Sequence, residues 1–535
     1  MPPRLDFGSF ARGAVVVLVP ALLALWCLVL VQQLFVFTEA RALIDPDRTL
    51  DLLRFVALPE LAWGNTRQTG TLVFLTVGTV CGLDPACVNT GTALLSAIAA
   101  VLAIVLAWQL TGSAWLAALA AALWGFSAPV LSVWIWQATW YDLLATIVAF
   151  GAGAFWWAAL GRRTLSPLAM VGVSAASVVL LMVGFNAKEI DYHLAGVLVL
   201  LAVVRGAATD GAIRRNLLIT AAPVVYASWF IAYALLHTDP AYAAHAGQRE
   251  ILDGLKLLIT QALGISRHNS FLDQQGPTAD AIRAATAALH ALFAMALATT
   301  ALVAGVRASP WRRPGSLRSV AAGWGAELYL AAVLIVTLLV GARSAGASAY
   351  YALTPWFAAI VLTLLVIGRV ARRLPRSRLV GGILTGLFVL AAAVGYVGAL
   401  APTATVPRVI ADSARWRTSL AMIRTLLEGR DVRTVAWRSA GNAASAFYVL
   451  RDPGYFGPTP EERYAVGSDM WPWVVGQRTG VRVEGLTQGS AAEWQARAGE
   501  LAAPGQVLIV TTDDYGLALV AHEGTILFSA PTPAP

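Results

Sequence analysis

The chain has 535 residues, 58% of them hydrophobic and only 13% charged, about half the roughly 25% charge of an ordinary soluble domain. That composition excludes a soluble globular enzyme and a disordered chain, and points to a protein that crosses a membrane many times. The formal charge of +8 does not mark a nucleic-acid binder, because the arginines gather in short connectors between apolar runs, as the positive-inside bias requires.

The first apolar run, residues 13–37, is too long for a signal-peptide core and lacks a small-residue cleavage site, so it reads as a retained helix. Basic connectors follow at 162–163, 205–215, 307–318 and 369–378. Placing all four in the cytoplasm with Arg4 and Arg12 predicts spans near 14–37, 88–110, 114–135, 142–160, 167–186, 189–205, 216–236, 281–306, 323–341, 350–368 and 380–400. That is eleven, with the amino terminus in and the carboxyl terminus out. Residues 69–83, "TGTLVFLTVGTVCGL", are apolar but short. Counting them as a crossing would put Arg162 and Arg163 outside, so they read as a re-entrant or interface-lying helix on the extracytoplasmic side. Cys81 and Cys87 close this segment with no metal-ligand spacing. They read either as a short disulfide or as two buried thiols; Cys27 lies inert in the first helix.

The expected class is therefore an α-helical polytopic membrane protein, with a transmembrane domain over 1–400. Residues 401–535 are charged and read as a small extracytoplasmic α/β domain. It contains an amphipathic helix (409–428), strands in "VRTVAW" and "GQVLIVTT", and two more strands about a turn at Glu523-Gly524. The aromatic stretch 452–480 suits either carbohydrate stacking or a packed loop.

Candidate chemistry collects on the predicted outer face. Glu39 directly follows the first span, where a carboxylate can serve as general base for a hydroxyl acceptor. Asp45, Asp47 and Asp51 come next, and "DPD" is equally good turn and helix-cap chemistry. Asp142 enters the fourth span amid Trp134, Trp136, Trp140 and Tyr141; a helix start favours an acid with or without function. In "FNAKEIDYH" an apolar run is broken by Lys188, Glu189, Asp191 and His193. Ionisable groups at membrane depth are costly and usually line a pathway or cavity. The chain has two lysines against 36 arginines, so Lys188 is a rare outer lysine suited to phosphate, with Glu189 placed to hold it or a metal. Asp191 and His193 are secondary candidates. Arg343, with Tyr350 and Tyr351, forms a further cation-and-tyrosine turn.

These elements, in this order, resemble the GT-C class of polytopic glycosyltransferases, in particular the protein O-mannosyltransferase and transmembrane-and-TPR branch. "FVFTEARALIDPDRTL" is similar to its first-loop pattern, and "GLDPACVNTGTALLSAIAAVLAIVLAWQL" to the Gly-Leu-x-Pro start of the second span. "SAPVLSVWIWQATWYDLL" resembles the passage into the fourth span, "FNAKEIDY" the Ser-Lys-Glu motif, and "SAYYALTP" the Tyr-rich, Pro-ended turn. The likeness covers about residues 20–370, without a TPR array. Thr38 stands where the branch often has the first of two acids, so Glu39 carries that role alone. Ala349 replaces an arginine common before the Tyr-rich turn, leaving Arg343 to substitute.

The resemblance implies transfer of a sugar from a polyprenyl-phosphate donor to a lipid, glycan or protein hydroxyl outside the plasma (inner) membrane. Glu39 and Asp142 would be catalytic. Lys188, Glu189, Arg343, Tyr350 and Tyr351 would hold the donor phosphate. No P-loop, HExxH or dinucleotide fingerprint appears. No cofactor is assigned, and a divalent cation at Glu189 or Asp142 stays open. The rival expectations are a lipid or glycan transporter or flippase, with charges near the bilayer midplane and broken helices, and a non-catalytic glycan-assembly protein.

Overall fold

The computed structural model describes residues 7–31, 50–59, 67–81, 85–135, 139–209, 212–238, 240, 250–266, 277–307, 317–343, 349–401, 405–440, 482–484, 488–489, 491–500, 503–512 and 516–530. The helices in chain order are α1 (Phe7–Val31), α2 (Leu52–Val56), α3 (Gln68–Cys81), α4 (Pro85–Thr111), α5 (Ala114–Gly125), α6 (Ala128–Trp134), α7 (Trp140–Leu160) and α8 (Pro167–Phe185). Then come α9 (His193–Ala208), α10 (Ile213–Leu236), α11 (Ile251–Ala262), α12 (Pro277–Arg307), α13 (Leu317–Ala342), α14 (Leu353–Ala371), α15 (Ser377–Ala399) and α16 (Thr405–Leu427).

Among the described residues, nine helices are long and apolar enough to cross a membrane, and ten if the bent pair α5–α6 is one span. The protein is a multi-pass membrane protein, and the predicted spans from 88 to 400 fall on helices or, for 114–135, on that pair; of the first predicted span, 14–37, residues 32–37 lie outside the described residues. The bend is 56° and has a local cause. Pro129 stands at the start of α6, where proline is favoured, but within a continuous helix its ring would clash with the carbonyl of Gly125. Small residues explain how closely the bundle packs: Ala99, Ala100, Ala103 and Ala107 of α4 are fully buried, and small side chains let membrane helices approach. Leu23, Cys27 and Val31, spaced four residues apart, form a buried stripe on one face of α1, and Asn89 of α4 donates to the Val31 carbonyl at 2.6 Å.

The short apolar helix α3 does not run through the bundle. Its first turn is tied to the end of α8, with the Thr69 amide donating to the Asn186 carbonyl at 3.0 Å. Its last residue forms a disulfide with Cys87 in the first turn of α4. Both attachments lie at the same end of the bundle, because α7 starts beside α4 there: the Trp140 indole donates to Thr92 at 3.1 Å and stacks on Phe74. The helix therefore lies across that end.

The tail forms a mixed sheet from β1 (Thr434–Ala440), β2 (Arg482–Glu484), β3 (Gln488–Gly489), β4 (Gln506–Thr512), β5 (Leu517–His522) and β6 (Thr525–Ser529). The strand order is β2-β1-β4-β5-β6, with β3 also on β1. The β1–β4 pair is parallel; β4–β5 and β5–β6 are antiparallel. Alternation along β4 explains the continuous apolar run "VLIV". Val507 and Ile509 share an apolar cluster with Ile423 and Leu427 of α16, while Leu508 and Val510 cluster with Trp494 and Ala498. Glu523 and Gly524 both take positive φ, 49° and 75°, the backbone a two-residue hairpin turn demands. The aromatic stretch 452–480 lies outside the described residues.

Candidate functional site

Three separate stretches meet where α3 crosses the bundle. The first is the start of α7, which Trp140 pins against α4, leaving Asp142 in the first helical turn with 4% of its surface exposed. The second is the break between α8 and α9. Asn186 ends α8 and donates to the carbonyls of Phe55 and Met182, both at 2.8 Å. Lys188 is extended (φ −162°, ψ 151°), and Glu189–Tyr192 form a single 3-10 turn before α9. The third is the 3-10 turn Ala349–Ala352 at the head of α14, which presents Tyr350 and Tyr351 with ring centroids 4.6 Å apart.

Lys188 is the centre of the arrangement. Its Nζ lies 2.5 Å from Asp142 Oδ2, 4.3 Å from the centroid of Tyr351 and 5.1 Å from that of Tyr350. A lysine ammonium has three N–H donors; one goes to Asp142, and the tyrosine faces offer cation–π attraction rather than hydrogen-bond acceptors. A second ion pair stands beside the first. Arg67 Nε and Nη2 reach the two oxygens of Glu189 at 3.2 and 3.3 Å, with the guanidinium 5.1 Å from the Tyr141 ring centroid. Gly70 makes this possible, since a Cβ there would collide with the Tyr141 ring.

Several acceptors at this end have no hydrogen-bond partner among the described residues: Asp142 Oδ1, both oxygens of Asp191, and His193 Nε2. Asp191 is fully buried, its Oδ2 only 3.1 Å from where a Cβ on Gly184 would stand. His193 Nδ1 donates to the Ile190 carbonyl at 2.6 Å. Its ring lines a cavity of about 10 Å³ with Phe150, Tyr329 and Thr354, room for about one water.

No known family model matches the chain, and no curated protein does. The residues themselves are the basis for any functional reading.

The structure brings Asp142, Lys188, Tyr350 and Tyr351 into one cluster. It corrects the role of Glu189. This carboxylate does not hold Lys188 but pairs with Arg67, and Asp142 is the partner of the lysine. The extended backbone at Lys188 is the reason, because it turns adjacent side chains to opposite sides. Arg343 is exposed after α13, and no described contact joins it to Lys188; Arg67 supplies the second cation instead. Ala349, at the position where an arginine was looked for, is fully buried. Asp51 is a helix cap: it N-caps α2 through the amides of Leu53 and Arg54. Glu39, Asp45 and Asp47 lie outside the described residues. Among the described residues no three His, Cys, Asp or Glu side chains are grouped to hold a metal ion.

Arg67 and its chain neighbour Gln68, which accepts from the Asp51 amide at 3.0 Å, were not legible in the sequence. "NTRQTG" has no periodicity or motif; the one usable signal was an arginine on the face otherwise poor in cations.

Proposed function

We propose that the protein is a membrane glycosyltransferase that moves a sugar from a polyprenyl-phosphate donor to an acceptor hydroxyl outside the cytoplasm. One observation carries this reading. Lys188, buried between Asp142 and two tyrosines, keeps N–H donors that a phosphate oxygen would take, and Arg67 stands beside it as a second cation.

Topology supports the same reading. Counting α1, the nine long helices and the bent pair gives eleven spans. The Cys81–Cys87 disulfide suits an oxidising compartment, and the described arginines of the connectors at 162–163, 205–215 and 369–378 lie at the opposite end. Both favour a Lys188 end that faces outward across the inner membrane, with residues 401–535 as an extracytoplasmic domain.

In the proposed reaction the acceptor oxygen attacks the anomeric carbon, and its proton passes to a carboxylate, for which Glu39 is the candidate. The bond from the anomeric carbon to the phosphate oxygen breaks in the same displacement, so the anomeric centre inverts. Lys188 and Arg67 stabilise the charge that returns to the lipid phosphate. Asp142 orients Lys188 and lends it a counter-charge while the site is empty.

The test is sugar transfer by the purified full chain in liposomes, from a panel of polyprenyl-phosphate hexoses and pentoses. Transfer that falls at least 100-fold in Lys188→Ala and Glu39→Gln sustains the assignment; full activity in both overturns it.

A transporter is the second reading. Asp191 and His193 extend polar groups inward from Lys188, and α5–α6 is a broken span, both features of transporter cores. Flipping of a fluorescent polyprenyl phosphate in the same liposomes, without sugar transfer, would favour it.

A further inference from the structure

A second cleft, built from none of the residues around Lys188, lies between the α5–α6 bend and helices α11, α12, α14 and α15. Its walls are apolar, formed by Leu123, Phe126, Leu263 and Ala392. Gly264 and Gly395 let the end of α11 approach α15 closely; a Cβ on Gly395 would stand 3.0 Å from the Leu263 carbonyl oxygen.

Four polar side chains line this cleft, and one of them, Ser127, spends its hydroxyl proton on the Trp124 carbonyl at 2.5 Å. Trp356 is 8% exposed, and its indole N–H has no acceptor among the described residues. His290 donates through Nδ1 to the Leu263 carbonyl, which leaves Nε2 an acceptor, and that nitrogen has no partner among the described residues either. The Tyr396 hydroxyl accepts from the Trp26 indole at 2.5 Å and keeps its own proton to donate.

A buried donor and a buried acceptor left unpaired in one cleft are both costly, and a single group can satisfy the two. It must accept from Trp356 and donate to His290, which is the chemistry of a hydroxyl. Size narrows the choice. The cavity is about 10 Å³, enough for one water-sized group and too small for a phosphate or a sugar ring. No charged side chain lines it, so an anion has no counter-charge there. The adjoining helices α12 and α15 keep most of their surface outside the bundle, where a hydrocarbon chain can follow them.

We propose that this cleft binds the hydroxyl of a neutral long-chain alcohol, with Trp356 as donor, His290 as acceptor and the chain lying along α12 and α15. The proposal uses neither Lys188 nor a lipid phosphate, and holds whichever reaction the other site performs.

The experiment is binding of tritiated dodecanol to the full-length protein in phosphatidylcholine nanodiscs, with empty nanodiscs subtracted. Saturable binding is expected. Dodecane and dodecyl phosphate should compete at least tenfold less well than unlabelled dodecanol. Trp356→Phe and His290→Phe should each weaken binding roughly five- to tenfold, the effect of losing one hydrogen bond. Tyr396→Phe serves as a third variant if either of these fails to elute as a folded monodisperse species. Equal competition by dodecane overturns the proposal, since the cleft is then merely apolar. Wild-type binding by the folded variants also overturns it, leaving a single water as the occupant.

Discussion

At the bundle end opposite Lys188, Arg215 donates to the carbonyls of Arg162 and Arg163, both at 2.8 Å, and Asn216 donates to that of Leu160 at 2.9 Å. Arg369 there pairs with Glu327, donates to the Gly323 carbonyl and covers the Trp324 ring. These cations close helix ends, and their donors are spent on backbone carbonyls, the Asn216 side chain and Glu327; Arg205 at the same end keeps an unpartnered Nε. At the Lys188 end the same residue types meet in the same kinds of pair, but capacity is left over on Lys188, Asp142, Asp191 and His193. A cation over an aromatic ring with an acid beside it is thus no sign of function by itself. Unspent polar groups under full burial are the sign, because a folded chain rarely leaves them without a ligand to come.

The contrast can be broken by mutation. Lys188→Ala leaves the Asp142 carboxylate buried and uncompensated, a loss of about 3–5 kcal/mol. Arg369→Gln removes a largely buried pair whose side chains are 25% and 11% exposed, and should cost about 1–2 kcal/mol. Equal losses in thermal unfolding of the purified protein would erase the distinction between the two ends. Cys81→Ser with Cys87→Ser opens a short loop at the Lys188 end only, and should lower stability by about 2 kcal/mol. Addition of reductant to the wild type should reproduce that shift; an unchanged melting temperature would mean that the bond does not tie α3 down. The smallest effect on stability sharpens the comparison most. Arg67→Ala breaks a pair that water can reach and should cost less than about 1 kcal/mol, yet weaken lipid-phosphate binding about tenfold. Arg215→Ala should leave that binding unchanged.

The spans were legible because each rests on one property, an apolar run of membrane length, and because arginine marks one side. Even the bend in α5–α6 is written locally in Pro129. The membership of the cluster was legible for a related reason: Asp142, Lys188, Tyr350 and Tyr351 are polar or amphipathic residues at the ends of apolar runs, where chemistry and topology coincide. The pairings were not legible. Glu189 adjoins Lys188 in sequence, and only the extended backbone at Lys188 sends the two side chains apart. Asp142 reaches Lys188 across 46 positions, and Arg67 reaches Glu189 across 122, separations set by how α3, α7 and α8 pack. Trp356 and His290 looked like ordinary span residues, because a missing partner is a property of the packed interior and leaves no trace in the sequence.

If Lys188 receives a lipid phosphate, a paired substitution separates binding from folding. Asp142→Asn with Lys188→Met removes both buried charges together, which should hold stability within about 1 kcal/mol of the wild type. The measurement is the affinity of this variant and of the wild type for a polyprenyl phosphate in nanodiscs. A folded variant whose affinity falls on the order of 100-fold is the predicted result. A folded variant that binds as tightly as the wild type would contradict it.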